Sequence, residues 1–239
     1  SFIFLTMYSN DWLLGDRGSG NPSAPFSFIC AFSLLVGNVL KHHLAPEVWF
    51  MVSNITPLKK RGLSDNQLRN EMVHAAISYD KRFRLCLLEQ QREGYSYTIA
   101  TVKELKKRYP QHHFVWLIGN DQAMQLSKWK DIEELSKLIE FYVFPRNGET
   151  ITCAYPHQKM NRKLINISSS EIREGHGLWL LPKSVKALMA KRYLYLDSFA
   201  RARMSERRFA HSQSVAALCA ELAKCHHVST EEAYCAGIL

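Results

Sequence analysis

The feature that most constrains this chain is an alternation. Apolar, β-branched or aromatic runs at 48–53 (VWFMVS), 83–89 (FRLCLLE), 114–119 (FVWLIG), 141–145 (FYVFP) and 163–168 (KLINIS) are separated by segments of helical period. Those segments lie at 34–43, 64–78, 98–109 and 131–139, with another at 183–192 after Pro182. In TIATVKELKKRY, for example, Ile99, Val102, Leu105 and Tyr109 share one face and the basic residues take the other. Strands alternating with helices of this length join as βαβ units in a mostly parallel sheet. The expected fold class is therefore α/β, a Rossmann-like parallel sheet with flanking helices. In such sheets ligands bind beyond the carboxyl ends of the strands. The words that follow the runs are the informative ones: GND after 114–118, PRNGE after 141–144 and SSSEIR after 163–167.

From residue 196 the pattern is helical only. Val215, Leu218 and Leu222 carry the period of one helix, and a second starts near Thr230. The expected division is an α/β domain at 1–195 and a truncated all-α segment at 196–239, because the chain stops inside that second helix.

Composition narrows the partners. The net charge is +9, yet only five of the 31 Lys/Arg and five of the 22 Asp/Glu lie beyond Tyr195, so the basic excess belongs to the N-terminal portion. Such an excess suits polyphosphate substrates. No long Lys/Arg run or RNA-binding word accompanies it, so nucleic acid is not expected as a partner. The longest apolar runs fall short of a membrane span, so no membrane association is expected. The scattered cysteines form no C-x-x-C pair, which suits a reducing cytoplasm.

The stretch NISSSEIRE has two readings. Ser168 and Glu171 stand in the spacing of a capping box, which satisfies free N–H groups at a helix start for about 1 kcal/mol. A helix N-terminus with hydroxyls and Arg173 in its first turn is also a place for a phosphate group.

Taken together, EVWFMVSNITPLKK, REGYSYTIATVKELKKRYP, WLIGNDQAMQLSKW, FYVFPR and INISSSEIR stand in the order and spacing of one family. Residues from about 34 to 195 resemble the bacterial nicotinate-nucleotide adenylyltransferases, which are α/β nucleotidyltransferases. The resemblance implies transfer of AMP from ATP, with Mg²⁺, to nicotinate mononucleotide, a step of NAD biosynthesis. It implies that Ser168, Ser169, Ser170 and Arg173 bind the ATP triphosphate, that Gly119 and Asp121 hold the nucleotide, and that Arg173 and Arg146 offset charge during transfer. It places Tyr97, Thr98, Trp129 and Lys59 on the acceptor. Without the resemblance, Arg146 reads equally as a solvated loop charge, Trp129 as a loop anchor and Thr98 as a helix cap.

The sequence departs from the family where its H-x-G-H motif belongs. Cys30-Ala31-Phe32-Ser33 precede the helix at Leu34, and none of them is an imidazole donor. Leu58 also stands where the family's P-H-K histidine is expected, and the segment after Arg173 is short. Residues 1–33 are expected to be a shifted reading frame, with their strand missing or badly paired at the centre of the sheet. Two alternatives follow: a nucleotide-binding remnant without turnover, or a related adenylyltransferase with another acceptor such as pantetheine phosphate. The tail RFAHSQSVAALCAELAKCH resembles the first helix of an HD-type phosphohydrolase domain, with His211 at its first metal-ligand position. One histidine cannot hold a centre that takes several ligands, so His211 is expected on a helix face.

Overall fold

Six parallel strands form one sheet among the residues described by the computed structural model, which are 2–7, 45–53, 66–145, 150–160, 171–172 and 174–239. They are β1 (Phe2–Met7), β2 (Glu47–Val52), β3 (Phe83–Cys86), β4 (Phe114–Gly119), β5 (Glu140–Phe144) and β6 (His157–Lys159). Their order is β3-β2-β1-β4-β5-β6. Helices α1 (Asn66–Ile77), α2 (Thr98–Arg108), α3 (Asn120–Ala123) and α4 (Ile132–Leu138) lie between them in the chain. The α/β class and the parallel sheet are as the alternation implied. The expected helix at 34–43 and strand at 163–168 lie outside the described residues, as do Lys59, Arg146, Ser168, Ser169, Ser170 and Arg173.

The N-terminal strand corrects one expectation. Far from being missing or badly paired, β1 lies between β2 and β4. It registers with β2 from Phe2 opposite Glu47 to Met7 opposite Val52, and with β4 from Phe2 opposite Phe114 to Phe4 opposite Trp116. FIFLTM is a near-continuous apolar run, the pattern of a strand covered on both faces. Two further differences are local. The run 83–89 stops as a strand at Cys86 and turns into a 3₁₀ segment over Leu88–Gln91, and the short polar strand HQK adds β6 beside β5.

The core explains why these segments fold as they do. All six residues of β4 are buried, as a strand near the middle of a two-sided sheet requires. Ile99, Val102 and Leu105 of α2 join Trp116 and Ile118 of β4 in one buried cluster, each aliphatic side chain contributing about 1.5–3 kcal/mol. Tyr109, read as part of that face, lies beyond the end of α2 and is exposed, its ring meeting Trp49 edge-on at 5.0 Å.

The chain divides into two compact units, Ser1–Ile167 and Ser168–Leu239. The division precedes the change of pattern at residue 196. The second unit carries α5 (Lys183–Lys191), α6 (Leu196–Arg201), α7 (Glu206–Cys225) and α8 (Thr230–Ile238). Ser205 and Ser229 cap α7 and α8 by accepting from the backbone N–H groups of Arg208 and Glu232. Helices α7 and α8 approach closely: a Cβ on Gly237 would lie 2.6 Å from the Ala216 Cα. The buried residues of α7 are Phe209, Ala216 and Ala223, whereas Leu218 and Leu222 are 60% and 51% exposed. The helix is where the period placed it, but that leucine stripe faces outward. His211 on α7 is exposed, on the helix face where it was expected.

Candidate active site

Between β1 and β4 the strand order reverses direction, which is where a sheet of this kind opens its ligand crevice. Gly119 ends β4 at that point in an extended conformation (φ −77°, ψ 162°), and α3 starts immediately after it. A Cβ at Gly119 would lie 2.5 Å from Asp121 Oδ1 and 3.4 Å from the Phe144 ring, so the absence of a side chain here lets the Asp121 carboxylate lie against the turn. The structure thus brings the two expected nucleotide residues, Gly119 and Asp121, into one tight turn. Asn120 between them was not singled out from the sequence. Its amide donates to Thr150 O at 3.2 Å and its Oδ1 accepts from Thr152 N at 2.9 Å, tying the segment after β5 to the start of α3.

The expected acceptor residues are brought together from two places. Tyr97 is the residue before α2, and its carbonyl accepts from the N–H groups of Ala100 and Thr101. Thr98 is the first helical residue and is buried, so it packs inside the turn rather than capping the helix. The half-buried Trp129 meets Phe141 edge-on at 6.4 Å, which anchors it to the core. The neighbouring Lys130 places its ammonium 4.6 Å from the centroid of the Tyr97 ring. The Trp129–Lys130 corner and the Tyr97–Thr98 turn therefore touch, far apart as they are in sequence.

Beneath that turn lies a polar group that sequence reasoning missed. Glu89, in the 3₁₀ segment after β3, is 1% exposed. It accepts from Thr101 Oγ1 at 2.9 Å, and Arg92 Nη2 donates to the same hydroxyl. Arg69 on α1 is likewise 1% exposed and donates to Ser53 Oγ at 3.2 Å and Asn66 Oδ1 at 3.1 Å. Burial pushes the Glu89 carboxyl above the usual range, against the opposing pull of Thr101, Arg92, Ser96 and Arg69. Burial also brings the Arg69 guanidinium down to about 10, with Glu89 pulling it the other way. The signal that would have found Arg69 is its position: it shares the spacing of Met72, Val73 and Ala76, the buried face of α1.

Among the described residues, no three His, Cys, Asp or Glu side chains group as a metal site, and no helix is long and apolar enough to cross a membrane.

Comparison with known proteins shows what this chain is similar to. A family model described as cytidylyltransferase-like matches residues 35–175. A Shouchella clausii protein named probable nicotinate-nucleotide adenylyltransferase is 39% identical over 158 residues, covering 64% of this chain and 82% of that one. A Bacillus licheniformis protein of the same name is 37% identical over 169 residues, covering 68% and 89%. Among solved structures, Plasmodium falciparum nicotinic acid mononucleotide adenylyltransferase complexed with NaAD superposes with a TM-score of 0.57 at 15% identity, over 81% of this chain and 97% of that one. That likeness is one of fold.

Proposed function

The chain belongs to the cytidylyltransferase-like family and, within it, to the nicotinate-nucleotide adenylyltransferases, and from that premise we propose that it transfers AMP from ATP to nicotinate mononucleotide. A 5′-phosphate oxygen of the mononucleotide attacks the α-phosphorus of ATP. The bond from that phosphorus to the bridging oxygen breaks, and its electron pair leaves with pyrophosphate; the product is nicotinate adenine dinucleotide. No covalent intermediate on the protein is required. Catalysis consists of aligning two anions and offsetting charge as it develops.

The observation that carries the reading is the meeting of the Tyr97–Thr98 turn with the Trp129–Lys130 corner in this parallel-sheet unit. An aromatic ring stacks on the pyridine face, while Thr98 and nearby amides hydrogen-bond the carboxylate. Gly119 and Asp121 bound the crevice on the nucleotide side. By family position, Ser168, Ser169, Ser170 and Arg173 hold the triphosphate, Arg146 offsets charge at the α-phosphate, and Lys59 contacts the acceptor. Mg²⁺ enters with ATP as part of that substrate and supplies charge neutralisation on the phosphates. The setting proposed for this reaction is the cytoplasm.

A second reading, nucleotide binding without turnover, is favoured by one observation: Cys30-Ala31-Phe32-Ser33 stand where the family carries its H-x-G-H. Calorimetric titration of the chain with each nucleotide, beside a pyrophosphate-release assay, separates the two. Release that requires both nucleotides supports transfer; binding of both with no release supports the second reading. For residues 196–239 we propose a likeness to helices of an HD-type domain, with exposed His211 on α7 as the residue in its first ligand position.

A further inference from the structure

The buried carboxylate of Glu89 sits against both ends of one short turn. Thr101, one helical turn after Thr98, donates its hydroxyl proton to Glu89 Oε1 at 2.9 Å. Its oxygen is free to accept, and it does so from Arg92. Thr101 also returns to the Tyr97 carbonyl, through its backbone N–H at 3.2 Å. Ser96, immediately before Tyr97, faces the same carboxylate and favours its charged form. The carboxylate and its two hydroxyl partners are inaccessible or nearly so: Thr101 is 0%, Glu89 1% and Ser96 4% exposed. One buried carboxyl group thus holds the residue before Tyr97 and the residue one turn beyond Thr98, and the backbone between them has little freedom left.

We propose that Glu89 is a positioning residue for the acceptor: through Thr101 and Ser96 it fixes the Tyr97–Thr98 turn in the orientation that receives the pyridine nucleotide. This rests on the reading of that turn as the acceptor site. Glu89 touches no substrate. It acts through the turn, and its two cationic neighbours serve the same end: Arg92 completes the coordination of the Thr101 hydroxyl, while Arg69 lies behind it, tied to Ser53 just past the end of β2. A buried carboxylate is a costly way to hold a turn for stability alone, since apolar residues of similar volume often do as well or better. Its value lies in direction, because hydrogen bonds fix orientation where apolar contacts do not.

The test uses the full chain and its variants Thr101→Val, Thr101→Ser and Glu89→Gln, with affinities for nicotinate mononucleotide and for ATP measured separately by calorimetry, alongside melting temperatures. Thr101→Val keeps the shape and removes the hydroxyl. It is expected to weaken nicotinate mononucleotide by roughly tenfold and leave ATP within roughly twofold, the loss of one charge-assisted hydrogen bond felt at a single ligand. Thr101→Ser restores the hydroxyl and with it the acceptor affinity, and Glu89→Gln follows Thr101→Val where it folds. Acceptor affinity unchanged in Thr101→Val, an equal loss for both ligands, or no rescue by Thr101→Ser overturns the inference while the adenylyltransferase reading stands. A parent chain that binds ATP but not nicotinate mononucleotide overturns both.

Discussion

The ammonium of Lys130 lies 4.6 Å from the centroid of the Tyr97 ring, and this contact joins two loops that leave the sheet at different strands. Trp129, one residue earlier, is fastened to the core by its edge-on approach to Phe141. The proposed acceptor side is therefore a corner anchored to the core and facing a turn. A cation over an exposed ring contributes about 0.5–1 kcal/mol, enough to orient the ring without dominating the stability of the unit.

Trp129→Ala is expected to weaken nicotinate mononucleotide binding by about 1–3 kcal/mol through lost stacking, with ATP affinity little changed. Calorimetric titration with each ligand checks this. Equal losses for both would show that the ring serves only its contact with Phe141.

Gly119→Ala places a methyl group 2.5 Å from Asp121 Oδ1 and against the Phe144 ring, so the Asp121 carboxylate must swing aside. Because that oxygen ends a rotatable side chain, the stability cost is expected at the low end of overpacking, about 1 kcal/mol. Denaturant unfolding should show that small loss, and ATP affinity should fall more than acceptor affinity, because Asp121 is the residue proposed for the nucleotide side. A variant with parental stability and parental ATP affinity would contradict the geometry.

The pH dependence of stability offers a third prediction. Burial raises the Glu89 carboxyl, so the folded state holds that proton more tightly than the unfolded chain does. Its contribution to stability is then fully present below the unfolded pKa of about 4.3 and is lost as pH rises through the folded value. Glutamine carries no such proton. The stability deficit of Glu89→Gln relative to the parent should shrink as pH rises from acid towards neutrality, read from urea unfolding at a series of pH values. A deficit that grows with pH would mean that pairing with Arg92 and Arg69 outweighs burial.

In the second unit, Gly237→Ala drives a methyl group to 2.6 Å from the Ala216 Cα and should part α7 from α8. The expected cost is about 1–3 kcal/mol. Hydrogen exchange should rise across 206–238 and stay at the parental level in β4 and α2. Unchanged protection in α7 and α8 would sink this prediction.

Much of this architecture could be read from the chain because apolar periodicity reports directly on burial. The run 114–119 and the face Ile99, Val102, Leu105 are core for the reason their spacing suggested. Periodicity is silent on where an apolar run stops, and FRLCLLE leaves the sheet after Cys86 so that Glu89 can turn inward. It is equally silent on short edge strands without apolar content, hence the unforeseen β6. The first strand differs for another reason: resemblance to the family fails over residues 1–33 as a whole, yet FIFLTM carries the near-continuous apolar pattern of a strand between two others. In the candidate site, Gly119 and Asp121 stand directly after a strand, where such sheets bind ligands, whereas Tyr97, Thr98 and Trp129 were legible only through the family resemblance. Glu89, Arg69 and Ser53 were not, because what gives a buried polar group its role is its partners, and those partners come from separate elements of the chain.

The central claim is most directly tested by following the α-phosphorus. The full chain is incubated with Mg²⁺, nicotinate mononucleotide and ATP labelled at the α-phosphate, and the products are separated and identified by mass. The account predicts the label in nicotinate adenine dinucleotide, with one pyrophosphate released for each dinucleotide formed and none when the mononucleotide is omitted. Label that stays in ATP, from a chain shown by titration to bind both nucleotides, would contradict it.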